Sequence, residues 1–167
     1  MSVLEWGPVS RIRRNHALEH ATLQVLSARR PTLRMGGYSD AQGFWLLGQA
    51  ELDEVATAAQ QALQRLEGGE AALAVHPNCG TNYVAAGLMA GSFAWLSMVG
   101  ARSFRSKLER FPMVVSLVTL ALMLAQPVGP FLQARVTTAA APLGMQIASV
   151  TRQMRGETPV FRVLTRG

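Results

Sequence analysis

His16, Glu19 and His20 stand in the order His-x-x-Glu-His, so two imidazoles and a carboxylate fall within about one turn of any helix that contains them. At about 100° per residue, Glu19 lies about 60° to one side of His16 and His20 about 40° to the other, and all three side chains leave one face. Histidines at i and i+4 converge above a helix turn, where a first-row metal such as zinc accepts two ring nitrogens at about 2.0 Å. The order is that of the inverted zincin signature, in which the glutamate is the base for a metal-bound water. The remaining histidine, His76, stands three residues before the single cysteine in His76-Pro77-Asn78-Cys79. That is ligand-type spacing, and a cysteine at the start of a helix has its thiolate favoured by the helix dipole.

Ligand count decides what such a site would do. If His16, His20, His76 and Cys79 all bind, the tetrahedron is closed and zinc is structural, with Glu19 outside it. If one of them stays off the metal, a water can take the fourth position and Glu19 can take its proton. A third chemistry needs no metal: Cys79 as a nucleophile activated by a histidine.

The elements that must position these residues follow from periodicity and punctuation. The segment from about Asn15 to Arg29 reads as a helix with apolar residues on more than one side, so it should be buried; Asn15 is its candidate N-cap, with a start near Val9 or Ser10 also open, and Arg29-Arg30-Pro31 ends it. Thr32 to Met35 and Gly43 to Leu47 read as two strands, joined around Gly36-Gly37 and Ser39-Asp40-Ala41-Gln42. Glu51 to Leu66 reads as a helix with Val55, Ala59, Ala62 and Leu66 on one side, ended by Gly68-Gly69, and Ala71 to Val75 as a short strand leading into His76. Residues 1–76 thus form a small helix-strand-strand-helix-strand domain of the α+β class.

The rest of the chain is different in kind. Residues 1–82 carry eight acids against seven Lys/Arg, whereas residues 83–167 carry nine Lys/Arg and two acids, so the net charge of +6 belongs to the second half. Pro77 to Ala101 and Phe111 to Ala134 are free of charge and long enough to cross about 30 Å of hydrocarbon, and we read residues 77–134 as two transmembrane helices. Gly87 and Gly91 suit the small-residue seams of such helices. Val136 to Val150 is uncharged but too short to span, which suggests an interfacial helix in a third region, residues 135–167, with Val160 to Leu164 as a strand returning to the small domain.

The basic residues bracket apolar runs and form no patch with interleaved aromatics, so the expected partner is the lipid bilayer and not nucleic acid. One cysteine excludes an internal disulfide, and residues 1–14 lack the apolar core of a secretory signal. Arg102, Arg105, Lys107 and Arg110 in the loop between the apolar runs argue for a cytoplasmic loop, while Arg135, Arg152 and Arg155 and the difficulty of translocating an 80-residue domain argue for a cytoplasmic small domain. We take the second orientation.

At His16 to Ala21 and His76 to Asn82 the chain resembles the YqhQ-like bacterial membrane proteins, whose stretches run approximately Gly-Ala-Glu-His and His-Pro-Arg-Cys-Gly-Thr; here they read Ala17-Leu18-Glu19-His20 and His76-Pro77-Asn78-Cys79-Gly80-Thr81. It is more similar still to a relative of that group with Asn-His-Ala-Leu-Glu-His-Ala-Thr and His-Pro-Asn-Cys-Gly-Thr-Asn. The resemblance implies an integral membrane protein that depends on a metal, with Glu19, His20, His76 and Cys79 matching the shared pattern, and it implies no substrate. Residues and resemblance together lead us to expect a multi-pass inner-membrane protein, alone, as a homo-oligomer or in a larger membrane complex. Its zinc site at His16, His20, His76 and Cys79 would serve a hydrolase with Glu19 as base, or a structural clamp.

Overall fold

A computed structural model describes residues 3–167. The fold is mixed α+β, with four α-helices and one four-stranded antiparallel sheet among the described residues. It divides into two compact units, residues 1–76 with 133–167, and residues 77–132. The first is therefore discontinuous in sequence.

In the first unit, helix α1 spans Gly7–Arg29, with Pro8 in its first turn, where a missing N–H costs nothing. Asn15 is consequently inside the helix and is not its cap. From Ala17 to Leu23 every residue of α1 is buried, so the helix is covered all round, as its apolar residues on several sides require. Strands β1 (Met35–Asp40) and β2 (Gly43–Gly48) form a hairpin closed by Ala41-Gln42. The expected turn at Gly36-Gly37 is thus strand. Gly37 serves close approach, since a Cβ there would stand 2.7 Å from the Glu19 Oε1 of α1, whereas Gly36 faces open space. Helix α2 (Leu52–Glu67) begins with a reciprocal capping box between Glu51 and Glu54, and it buries Val55, Ala58, Ala59, Ala62, Leu63 and Leu66.

Ala71–Ala74 is a 3-10 turn, which corrects the expected strand. The reason is that its backbone is already engaged by α1: Gln24 Nε2 donates to the carbonyls of Leu73 (2.8 Å) and Val75 (3.0 Å), and His20 Nδ1 meets that of Ala74 at 2.8 Å. The expected interfacial helix is also corrected. After a short π-helical turn, Gln133–Thr137, the chain becomes β3 (Gln146–Arg155), which pairs along its length with β4 (Thr158–Arg166). Leu143 and Gly144 have φ of 51° and 77°, a conformation that breaks a helix, and Ile147 and Val150 reach the core on either side of a bulge. The returning strand is present, and longer than Val160 to Leu164.

The sheet order is β1-β2-β4-β3. Phe44, Leu46, Phe161 and Val163 line its inner face, none of them exposed, and each contributes about 1.5–3 kcal/mol by burial. On the outer face the register aligns Tyr38, Trp45 and Arg162 across three strands. Tyr38 stacks on Trp45 at 6.2 Å, and the Arg162 guanidinium lies 4.8 Å from the Trp45 ring and 2.9 Å from Asp40. Burial alone would raise the Asp40 pKa, but the Arg162 hydrogen bond and charge, with the N–H groups of Gln42 and Gly43, hold it below its ordinary value.

The second unit is a hairpin of helices α3 (Gly80–Met98) and α4 (Phe104–Leu132). They run antiparallel: Arg110 donates to the carbonyls of Ser97 and Val99 at the turn, and Gly129 backs onto Asn82 at the other end. Gly87 and Gly91 face open space, so the seam is at Gly129 and not at the expected pair. Among the described residues one helix, the continuous run Phe104–Thr137, is long and apolar enough to cross a membrane, and 11% of its apolar window is buried. Helix α3 is shorter and opens with the polar Thr81 and Asn82.

Candidate metal centre

Helix α1 presents His16 and His20 one turn apart, with ring centroids 4.2 Å from each other and planes at 60°. His20 is buried and His16 half-buried. Each ring is held through Nδ1 by a main-chain carbonyl: His16 by Thr137 at 3.0 Å and His20 by Ala74 at 2.8 Å. A carbonyl can only accept, so each Nδ1 carries a proton, and in the neutral ring Nε2 is then the nitrogen able to ligate. That is the tautomer of a metal-ligating histidine whose other nitrogen is fixed by a carbonyl.

The separation fits as well. Two nitrogens on one tetrahedral zinc stand about 3.3 Å apart for bonds of about 2.0 Å, and the ligand atoms of His16 and His20 lie within 4.8 Å of each other. Small side-chain rotations would bring both to one ion. His76 joins this pair from the segment after the 3-10 turn, with its ring centroid 5.6 Å from that of His20. Its main chain is held by the fully buried Gln133, whose Oε1 accepts from the His76 N–H at 2.8 Å and whose Nε2 donates to the His76 carbonyl at 3.1 Å.

Glu19, on the same helix, is buried and turned to the sheet. Ser39 Oγ donates to its Oε2 at 2.5 Å, and its Oε1 lies over Gly37. Asn15, one residue before His16, ties α1 to two strands: its Nδ2 donates to the Asp40 carbonyl at 2.8 Å, and its Oδ1 accepts from Thr165 Oγ1 at 2.7 Å. In the second unit Cys79 is the N-cap residue of α3, buried, with Sγ 3.5 Å from Thr81 Oγ1. By donor chemistry, the imidazoles of His16 and His20 could hold a metal ion.

Of the residues singled out by sequence, then, the first unit gathers His16, His20 and His76 and gives Glu19 a partner on β1. Gln133, Ser39 and the Thr137 carbonyl are not foreseen from sequence. Only Gln133 has a visible signal, an amide closing a long apolar run.

A family model described as "Domain of unknown function (DUF6391)" matches residues 11–150, a span that contains the three histidines, Glu19, Cys79 and Gln133. An uncharacterised protein of Picosynechococcus sp. is 35% identical over 153 residues, covering 83% of this chain and 71% of that protein. No solved structure matches.

Proposed function

The chain belongs to the family described as a domain of unknown function, DUF6391, and we propose that it is a membrane-attached protein whose working part is a zinc centre. One observation carries the proposal: His16 and His20, side by side on α1, both engage carbonyls through Nδ1, which makes Nε2 the nitrogen each ring could offer a metal. His76 and Cys79 complete the set. The ring of His76 neighbours His20, and Cys79 follows His76 by three residues, a reach of at most about 10 Å of chain. Three imidazoles and a thiolate are a tetrahedral donor set suited to zinc. The resemblance of both motifs to the YqhQ-like proteins supports the same reading.

We further propose that α3 and α4 both cross the inner membrane, with the small domain in the cytoplasm. What supports this is the exposure of their large apolar side chains, among them Leu88, Trp95, Leu120, Met123 and Phe131, which water would not tolerate together. With four ligands bound, the centre is closed and structural. A hydrolase acting on a membrane-proximal substrate is the second reading, favoured by the position of Glu19 between the two histidines; it requires that carboxylate to exchange Ser39 for a metal-bound water.

Elemental analysis of the detergent-purified protein from zinc-supplied cells tests the proposal. We expect about one zinc per chain, lost in His20→Ala and in Cys79→Ser and retained in Glu19→Gln. A parent protein that carries no metal and takes up none would overturn it.

A further inference from the structure

We propose that Gln133 is a positioning residue for this centre, and that the π-helical turn Gln133–Thr137 is the mount on which two of its histidines are set; the inference rests on the metal reading above. Neither contact runs through a histidine's metal-facing nitrogen. The Gln133 amide brackets the main chain of His76, bonding its N–H and its carbonyl at 2.8 and 3.1 Å, while the Thr137 carbonyl four residues on receives the His16 Nδ1 proton at 3.0 Å. One turn therefore fixes the backbone of one ligand and the tautomer and ring direction of another.

The third histidine depends on the same clamp less directly. His20 is set by the Ala74 carbonyl, two residues before His76 in the segment that Gln133 holds. The clamp is itself braced, because the Gln133 carbonyl accepts both the N–H and the hydroxyl of Thr138, each at 2.9 Å.

The geometry requires an amide. Gln133 is fully buried, and a leucine of similar size would fill its place while losing both bonds to His76. A glutamate would keep the bond from the His76 N–H and lose the donor to the carbonyl. Pi-helical turns recur at functional sites. This one follows Pro127 and Pro130, which remove two N–H donors from the end of the helix and loosen its regular ladder.

The test uses the full chain in detergent, with zinc affinity measured by chelator competition and ligand geometry by the visible spectrum of the cobalt-substituted protein. Gln133→Leu should weaken zinc binding about 10- to 100-fold and alter the position or intensity of the cobalt bands. Gln133→Glu should fall between it and the parent. If Gln133→Leu does not fold, Thr138→Val, which removes the hydroxyl half of the brace and keeps its N–H, should shift affinity and spectrum in the same direction by less. Variants that melt at lower temperature in the metal-free state yet match the parent in zinc affinity and cobalt spectrum would show Gln133 to be ordinary core packing. A parent that binds neither metal would instead bring down the metal reading and this inference with it.

Discussion

Asn15, Glu19 and His20 are polar, nearly inaccessible, and carried by a single helix, which burial alone would make unfavourable. Each has a partner from another element: Asp40 and Thr165 for Asn15, Ser39 for Glu19, Ala74 for His20. The space for the Glu19 carboxylate exists because residue 37 has no side chain. In Gly37→Ala the new Cβ would lie 2.7 Å from Glu19 Oε1, 2.7 Å from the Trp45 carbonyl and 2.9 Å from Leu46 Cδ2. We expect a loss of about 1–3 kcal/mol, measurable by urea unfolding; unfolding at the parent's midpoint would mean that Glu19 and β1 can separate freely. At this scale the sequence discloses His16, Glu19 and His20 well, since i and i+4 spacing on a helix is a local property. It hides their partners, which lie up to 121 residues away, as Thr137 does from His16. It also misleads about Asn15, whose type suits an N-cap and whose actual bonds are tertiary.

Helices α1 and α2 are legible because their periodicity and end signals are local. The misread elements are those whose form depends on a partner. The segment 71–75 has strand-like composition, yet the side chains of His20 and Gln24 take its carbonyls. The segment 136–150 reads as an interfacial helix beside its apolar neighbours, yet its last residues belong to β3, with which β4 pairs. Small residues in the hairpin give the same lesson, since a glycine in an apolar helix does not say which neighbour it admits. A Cβ on Gly129 would run into Asn82 Oδ1 and stand 3.0 Å from the Asn82 Cα, whereas Gly87 faces open space. Gly129→Ala should therefore lower the melting temperature in detergent, by the equivalent of about 1–3 kcal/mol. Gly87→Ala should leave it level or raise it slightly, as alanine is the better helix former. Equal effects from the two variants would remove Gly129 from the seam.

For the whole molecule, the helical hairpin is an insertion: the chain leaves the α+β unit after His76 and re-enters it at Gln133. Composition marks the hairpin clearly. It does not reveal that residues 133–167 rejoin the first unit, because the return is written in strand pairing. If the hairpin crosses the bilayer, the protein should stay in the pelleted membranes after extraction with alkaline carbonate and be released only by detergent. Recovery in the carbonate supernatant would contradict the spanning helices.

Strand β4, translated after the hairpin, occupies the middle of the sheet between β2 and β3. While the chain is being synthesised, α1, the β1–β2 pair and α2 emerge first with the inner face of β2 lacking its central neighbour. The hairpin must follow before Phe161 and Val163 can close that face. The helix bearing His16 and His20 therefore meets the cell before its own domain can fold. Assembly of the histidine cluster waits for Gln133 and Thr137, which follow the apolar hairpin in the chain, so any membrane insertion can begin before the cluster is complete.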